Sequence, residues 1–426
     1  MPSPRPLPPL PPRRRPSPAP RQSVPAPAAQ RRAQHARVRT RRRRLGALIV
    51  VALLSLVAGL ASAADGDDSG THPGVRSARR ASPAVPARSD RGGSGPVAAT
   101  APGVGPGYLA PGSDPGVLPG NLLIADRAND RLLILTPKGQ IAWEFPRPGD
   151  LRAGSSFRVP DDAFFTPDGR QIVATEEDDF VVSVVDVATH RLVYRYGTPG
   201  VSGAGANHLF NPDDAMLTRS GDLFSADIKN CRLIVVHPPA HQVTHQLGQT
   251  GSCQHDPPLS YASPNGSFPR QQGGFVITEI NGDWVDLLDG AGHVQATAHP
   301  PGFSYPSDSN EVRPGELLSV DYVNPGAVET FTPSGSLLWR YAPLRSSDAL
   351  NKPSLALPLP NGDVLVNDDY NHRVIVIDPH TNRIVWQYGH TGQPGRGPGY
   401  LNVPDGVDLA SPHSVADRFP AMTAPR

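Results

Sequence analysis

The strongest constraint on the fold is a repeat. An acid follows a short apolar run six times: LLIA before Asp126, IVAT before Glu176, LFSA before Asp227, FVIT before Glu279, LLSV before Asp321 and VLVN before Asp368. The spacings between these acids are 50, 51, 52, 42 and 47 residues. Periods in this range mark arrays of one supersecondary unit that cannot bury its apolar face alone. Within each unit, short runs with period-two alternation stand between tight-turn signals, which is the pattern of strands.

A second marker is a proline that opens a further strand: Pro160, Pro212, Pro264, Pro306, Pro353 and Pro404. Five of them precede an acid by 15 or 16 residues. Pro404 has no acid after it, and Asp126 has no proline strand before it. The two leftovers complement each other. Residues 404–409 are expected to supply the inner strand of a blade whose other three strands come from about 120–147. Four strands per unit and six units predict an all-β, six-bladed β-propeller over 119–410, closed by pairing the last strand with the first blade. Closure removes the exposed sheet edges. A β-sandwich explains neither the period nor the complementary ends.

Three strings align the acid, an Asn and an Arg: ADRANDRLLIL (125–135), ADIKNCRLIVV (226–236) and NDDYNHRVIVID (367–378). In them the chain resembles the NHL-type β-propellers. DPHTNRIVWQYG (378–389) and TPSGSLLWRYA (332–342) are similar to the tails of quinoprotein (PQQ-type) propeller repeats. The resemblance implies architecture, since such propellers host many unrelated functions. It also implies that Trp143, Trp339 and Trp386, with Tyr194, dock neighbouring blades. Six blades fall short of the eight usual in PQQ enzymes, so a bound quinone is not expected. Blade four (264–299) departs most, with Gly282 in place of the Asn and no Arg.

The region before the repeat is of another kind. Residues 1–44 carry thirteen Arg and no Lys, Asp or Glu, and read as a disordered cytoplasmic tail. Residues 45–64 are uncharged, and twenty residues at about 1.5 Å each span about 30 Å, one bilayer core. Arg41 to Arg44 lie just in front, so the span is expected to leave the propeller extracytoplasmic. The rival reading is a cleaved signal peptide with Ala61-Ser62-Ala63 at the cleavage site, giving a secreted protein. Residues 65–118, with 11 Gly and 8 Pro, read as a flexible linker, and 411–426 as a C-terminal tail. Beyond residue 44 stand 27 basic against 39 acidic residues, a formal −12, which argues against nucleic acid as a partner. The Arg-only tail and the Ala/Pro/Gly bias point to a bacterial source.

Short turns such as TPDGR (166–170) and TPSGS (332–336) lie on one propeller face, and the long loops on the other. Binding sites usually sit on long loops held by a rigid scaffold. Two polar rings converge on that face. The inner ring follows the strand-opening prolines: Asp161, Asp213, Asn265, Ser307, Ser354 and Asp405, with Asp162, Asp214 and Asp308 one residue later. Oxygen-only ligands with several carboxylates suit Ca²⁺ or another divalent cation, whereas the structural alternative is turn capping. The outer ring is the repeated acid itself: Asp126, Glu176, Asp227, Glu279, Asp321 and Asp368. Its six-fold recurrence argues for a structural role, each acid tying its loop through the Asn or through Arg131, Arg232 or Arg373. Cys231 and Cys253 lie on the same face and, in an exported chain, are expected to pair. The alternative is a metal or reactive site using Cys253 and His255. His208, His255 and His390 are further metal or catalytic candidates in blade-to-blade loops. No His-x-His, His-Glu-x-x-His, Gly-x-Ser-x-Gly or P-loop motif is present.

Together these observations predict a membrane-tethered, extracytoplasmic propeller that binds a small ligand or an envelope protein through its acidic long-loop face. The alternative is a divalent-metal-dependent lyase or hydrolase at the mouth of the channel.

Overall fold

The computed structural model describes residues 107–422. The tail 1–44, the apolar segment 45–64 and most of the linker lie outside the described residues. Among the described residues, no helix is long and apolar enough to cross a membrane.

Six four-stranded antiparallel sheets make a six-bladed β-propeller. Every inner strand begins at one of the marker prolines: Pro160–Phe165, Pro212–Leu217, Pro264–Pro269, Pro306–Arg313, Pro353–Pro358 and Pro404–Leu409. A proline fits there because the first residue of a strand owes no ladder hydrogen bond. Blade one joins the two ends of the propeller. Pro404–Leu409 pairs with Leu122–Asp126, setting Leu409 opposite Leu122 and Val407 opposite Ile124. Blades two to six follow in chain order.

The core is divided among the contacts between blades. On the second strand of blade one, Leu123 and Ala125 face blade two, packing with Ile172, Ala174 and Val185. Leu122 and Ile124 face blade six, packing with Leu365, Val374 and Val376. Strands buried on both faces read as continuous apolar runs, as LLIA and VLV do. Fourth-strand aromatics latch four of the blades to the next. Trp143 Nε1 donates to the Val187 carbonyl (2.9 Å), Trp386 Nε1 to Pro137 (2.9 Å), and the Tyr194 hydroxyl to Ala240 (2.6 Å). Trp339 Nε1 donates to the Asn382 side chain at 2.7 Å.

Segments flanking the propeller also pack on it. Ala110 and Asp114 donate backbone N–H groups to Gln387 and Val385 of blade six, and Leu118 is buried. At the other end, Asn121 Nδ2 donates to the carbonyl of Ala416, whose side chain is fully buried. Residues 107–118 of the segment read as linker therefore lie against the propeller.

Candidate functional site

The site begins with the repeated acid. Each is the last residue of a second strand, and all six accept the N–H of the residue two before the marker proline of their own blade. The pairs are Asp126 with Asn402, Glu176 with Arg158, Asp227 with Phe210, Glu279 with Ala262, Asp321 with Ser304 and Asp368 with Asn351. The acid thus pins the entry of the inner strand, which is why it recurs six times. Three copies add the expected partners: Asp126 with Asn129 and Arg131, Asp227 with Asn230 and Arg232, Asp368 with Asn371 and Arg373. Glu176 takes Arg195 from a fourth strand instead, and Glu279 takes His255.

The pinned entry is conformationally demanding. Val159, Asn211, Ser263, Lys352 and Val403, each just before a marker proline, have φ of +42° to +60°. That region is unfavourable for β-branched residues such as Val159 and Val403. Immediately after the proline the ladder slips. Register shifts fall between Pro160 and Ala163, Asp213 and Ala215, Pro264 and Ser267, Pro306 and Ser309, and Pro353 and Ala356. A bulge re-aims side chains and breaks the strict alternation of faces. Both residues after the proline can then face the channel, so the expected inner ring becomes two layers.

The upper layer forms the mouth. Asp161, Asp213, Asn265, Ser307, Ser354 and Asp405 line one cavity of about 90 Å³ together with Asp162, Asp308, Arg127, Glu177, Tyr305 and Tyr322. Among the residues that line it, Arg127 is the single cation. Its Nη1 contacts Asp161 and, at 2.5 Å, Asp405; its Nη2 contacts Glu177 at 2.8 Å and Asp178 at 3.0 Å. Burial works to raise Asp405, but Arg127 and a proton shared with Asp161 hold it below the usual carboxylate range. Asp161 is held well above that range, by burial and by the like charges around it, against the pull of Arg127.

The lower layer is Asp162, Asp214 and Asp308, none more than 4 % exposed. One carboxylate oxygen from each lies within 4.8 Å of the others. Burial and mutual repulsion hold Asp162 and Asp308 well above the ordinary range, and burial pushes Asp214 up to about 7. Among the described residues, no positive charge offsets this layer. Asp214 Oδ2 accepts the N–H of Ser267 at 2.5 Å. Its Oδ1, together with Asp162 Oδ1 and Asp308 Oδ1, has no hydrogen-bond partner, and neither do Ser267 Oγ and Thr278 Oγ1. A Cβ at Gly266 would meet Asp308 Oδ1 and, at 3.0 Å, Thr278 Oγ1, so these two oxygens converge over a glycine.

Arg127, Glu177 and Tyr322 escaped the sequence reading. Each is the residue immediately after a repeated acid, a position that could have identified them. The histidines do not join the mouth. His208 bonds the Ala206 carbonyl in its own loop, and His390 stacks on Tyr400. Among the described residues, no metal-sized cluster contains two histidines. Cys231 and Cys253 form a disulfide with Cα atoms 5.1 Å apart, which removes Cys253 as a metal ligand or reactive thiol.

No protein-family model and no curated protein matches the chain. It is similar to a solved structure of a protein of unknown function from Bacteroides caccae, with 14% identity and TM-score 0.48 over 68% of this chain and 98% of that one. It is also similar to a streptogramin B lyase, with 16% identity and TM-score 0.40 over 55% and 70%. A third similar structure is that of a nidogen/laminin complex, with 13% identity and TM-score 0.44 over 67% and 97%. These likenesses concern architecture and bear on no activity.

Proposed function

We propose that this chain is an NHL-like, membrane-tethered bacterial propeller whose extracytoplasmic long-loop face is a cation-dependent binding module. The ion is Ca²⁺, held by Asp162, Asp214 and Asp308. The observation that carries the reading is the set of unpartnered oxygens in the lower layer. Buried polar atoms in folded proteins almost always have partners. Three buried carboxylates, each with an oxygen that has no hydrogen-bond partner and each with an oxygen within 4.8 Å of the others, are the donors a hard cation requires. Oxygens sharing a Ca²⁺ at about 2.4 Å are at most about 5 Å apart, which accommodates the observed 4.8 Å limit.

The cavity volume decides what else fits. About 90 Å³ takes an ion and a few waters, whereas pockets for organic ligands measure about 300–1,000 Å³. The partner or ligand therefore sits above the mouth, against half-exposed Tyr305 and Tyr370, and adds a polar group to the ion from outside. A divalent-metal-dependent lyase or hydrolase is the second reading. No His or Cys lines the mouth, and none of the three His candidates approaches it, so binding is favoured.

The test is Ca²⁺ titration of chelator-treated protein by calorimetry. One ion should bind per chain, and Asp162→Asn, Asp308→Asn and Gly266→Ala should each abolish it without loss of the folded circular-dichroism spectrum. Binding that survives all three substitutions would exclude the lower layer.

A further inference from the structure

Blade four breaks the repeat, and its replacement parts converge on one point away from the channel. Gly282 stands where four other blades have Asn and blade two has Asp179, and the third strand opens with Trp284 where three other blades have Arg. Gly282 has φ +98°, and a Cβ there would lie 2.7 Å from Trp284 Nε1, so the glycine makes room for the indole. Trp284 in turn stacks on His255, with ring centroids 4.0 Å apart and planes 8° from parallel. His255 comes from the loop that the Cys231–Cys253 disulfide staples two residues earlier. Its Nδ1 lies 2.9 Å from Glu279 Oε1 and 3.7 Å from Asp286 Oδ2.

We propose that His255 Nδ1, Glu279 Oε1 and Asp286 Oδ2 form a binding site for a Zn²⁺ ion, independent of the channel. The two His–carboxylate separations bracket the edge of a zinc tetrahedron, about 3.3 Å for bonds of about 2.0–2.1 Å. Mixed imidazole and carboxylate ligands favour such a first-row ion over Ca²⁺. The far oxygen of each carboxylate is held by its own donor. Thr297 Oγ1 bonds Asp286 Oδ1 at 2.5 Å, and the Ala262 N–H bonds Glu279 Oε2. These are the outer contacts that orient ligands at metal sites. Asp286 Oδ2 has no hydrogen-bond partner although Asp286 is fully buried, and the same is true of the Tyr261 hydroxyl. His255 is one-fifth exposed, so the cluster reaches the surface through its imidazole.

The full-length, chelator-treated protein is titrated with Zn²⁺ while Trp fluorescence is followed, because Trp284 lies against a ligand. The expected result is one equivalent of Zn²⁺ with a change in emission. His255→Ala and the isosteric Asp286→Asn should each weaken binding by about 100-fold or more, and Thr297→Val, which removes only an orienting contact, by about 10-fold. Asp162→Asn in the channel should leave the titration unchanged. Absence of a stoichiometric equivalent, or binding that His255→Ala and Asp286→Asn leave intact, overturns the proposal. Melting curves of both variants confirm that they are folded.

Discussion

Asp368 in blade six and Asp321 in blade five occupy the same place in the repeat, yet their removal should differ several-fold in cost. Asp368 accepts the Arg373 Nε at 2.8 Å, the Asn371 Nδ2 at 2.8 Å and the Asn351 N–H at 2.7 Å. Arg373 is 1% exposed. In Asp368→Ala its guanidinium stays buried without its counter-charge, which costs about 3–5 kcal/mol. The orphaned Asn351 N–H adds about 1–3 kcal/mol, and the two losses partly overlap. A total of about 4–6 kcal/mol is a large part of a domain stability of about 5–15 kcal/mol. Asp321 accepts backbone N–H groups from Ser304 and Tyr305, while the nearby Arg340 is paired with Glu329. Asp321→Ala therefore loses hydrogen bonds only, about 1–3 kcal/mol. With a urea slope of about 3 kcal/mol/M, the unfolding midpoint should fall by roughly 1.3–2 M for Asp368→Ala and by less than about 1 M for Asp321→Ala. Adding Arg373→Met to Asp368→Ala should recover part of the loss, a coupling of about 1–3 kcal/mol. Equal midpoints for the two alanine variants, or no recovery in the double variant, would refute the argument that a buried counter-charge drives the difference.

Replacing both Cys231 and Cys253 by Ser releases a cross-link with a sequence separation of 22, so the reduced form should lose about 3 kcal/mol; identical melts of the two forms would contradict this. Trp386 is fully buried and donates to the Pro137 carbonyl of the next blade, so Trp386→Ala should cost about 3–5 kcal/mol, and urea unfolding should place it well below the half-buried Trp339→Ala. Asp408 is half-buried, and its desolvation pushes it up to about 7, although the Phe165 and Leu409 N–H groups donate to it and pull the other way. Its folded value lies above the unfolded one, so its contribution is complete below about pH 4 and is lost as pH rises towards 7, by up to about 4 kcal/mol. Asp408→Asn should accordingly flatten the fall in unfolding free energy between pH 5 and 7.5, and an unchanged slope would show that Asp408 is already ionised at pH 5.

Blade number, ring closure and the disulfide were legible because each rests on pattern or chain order. The acids and prolines recur in register, and Asp126 and Pro404 each lack the partner that the other supplies. The inner ring was legible as a list but not as two layers. Strand alternation puts Asp161 and Asp162 on opposite faces, and only the bulge after Pro160 brings both to the channel. Arg127 was missed because one Arg in a polar loop carries no signal until its neighbours in space, Asp161 and Asp405, are known. They lie 34 and 278 residues away in the chain. His255 was noticed as a loop histidine, but its pairing with Glu279 crosses 24 residues and depends on Trp284 filling the place of the missing Arg. Alternation also says nothing about residues 107–118, whose Gly and Pro content reads as linker although their backbone bonds to blade six.

The account turns on whether a cation occupies the axis of the propeller. A crystal grown in Ca²⁺, with anomalous differences measured at long wavelength, tests this most directly. The account predicts one strong peak about 2.4 Å from oxygens of Asp162, Asp214 and Asp308, below Arg127. A map with no peak there, and the three carboxylates bonded to one another or to water alone, would contradict it.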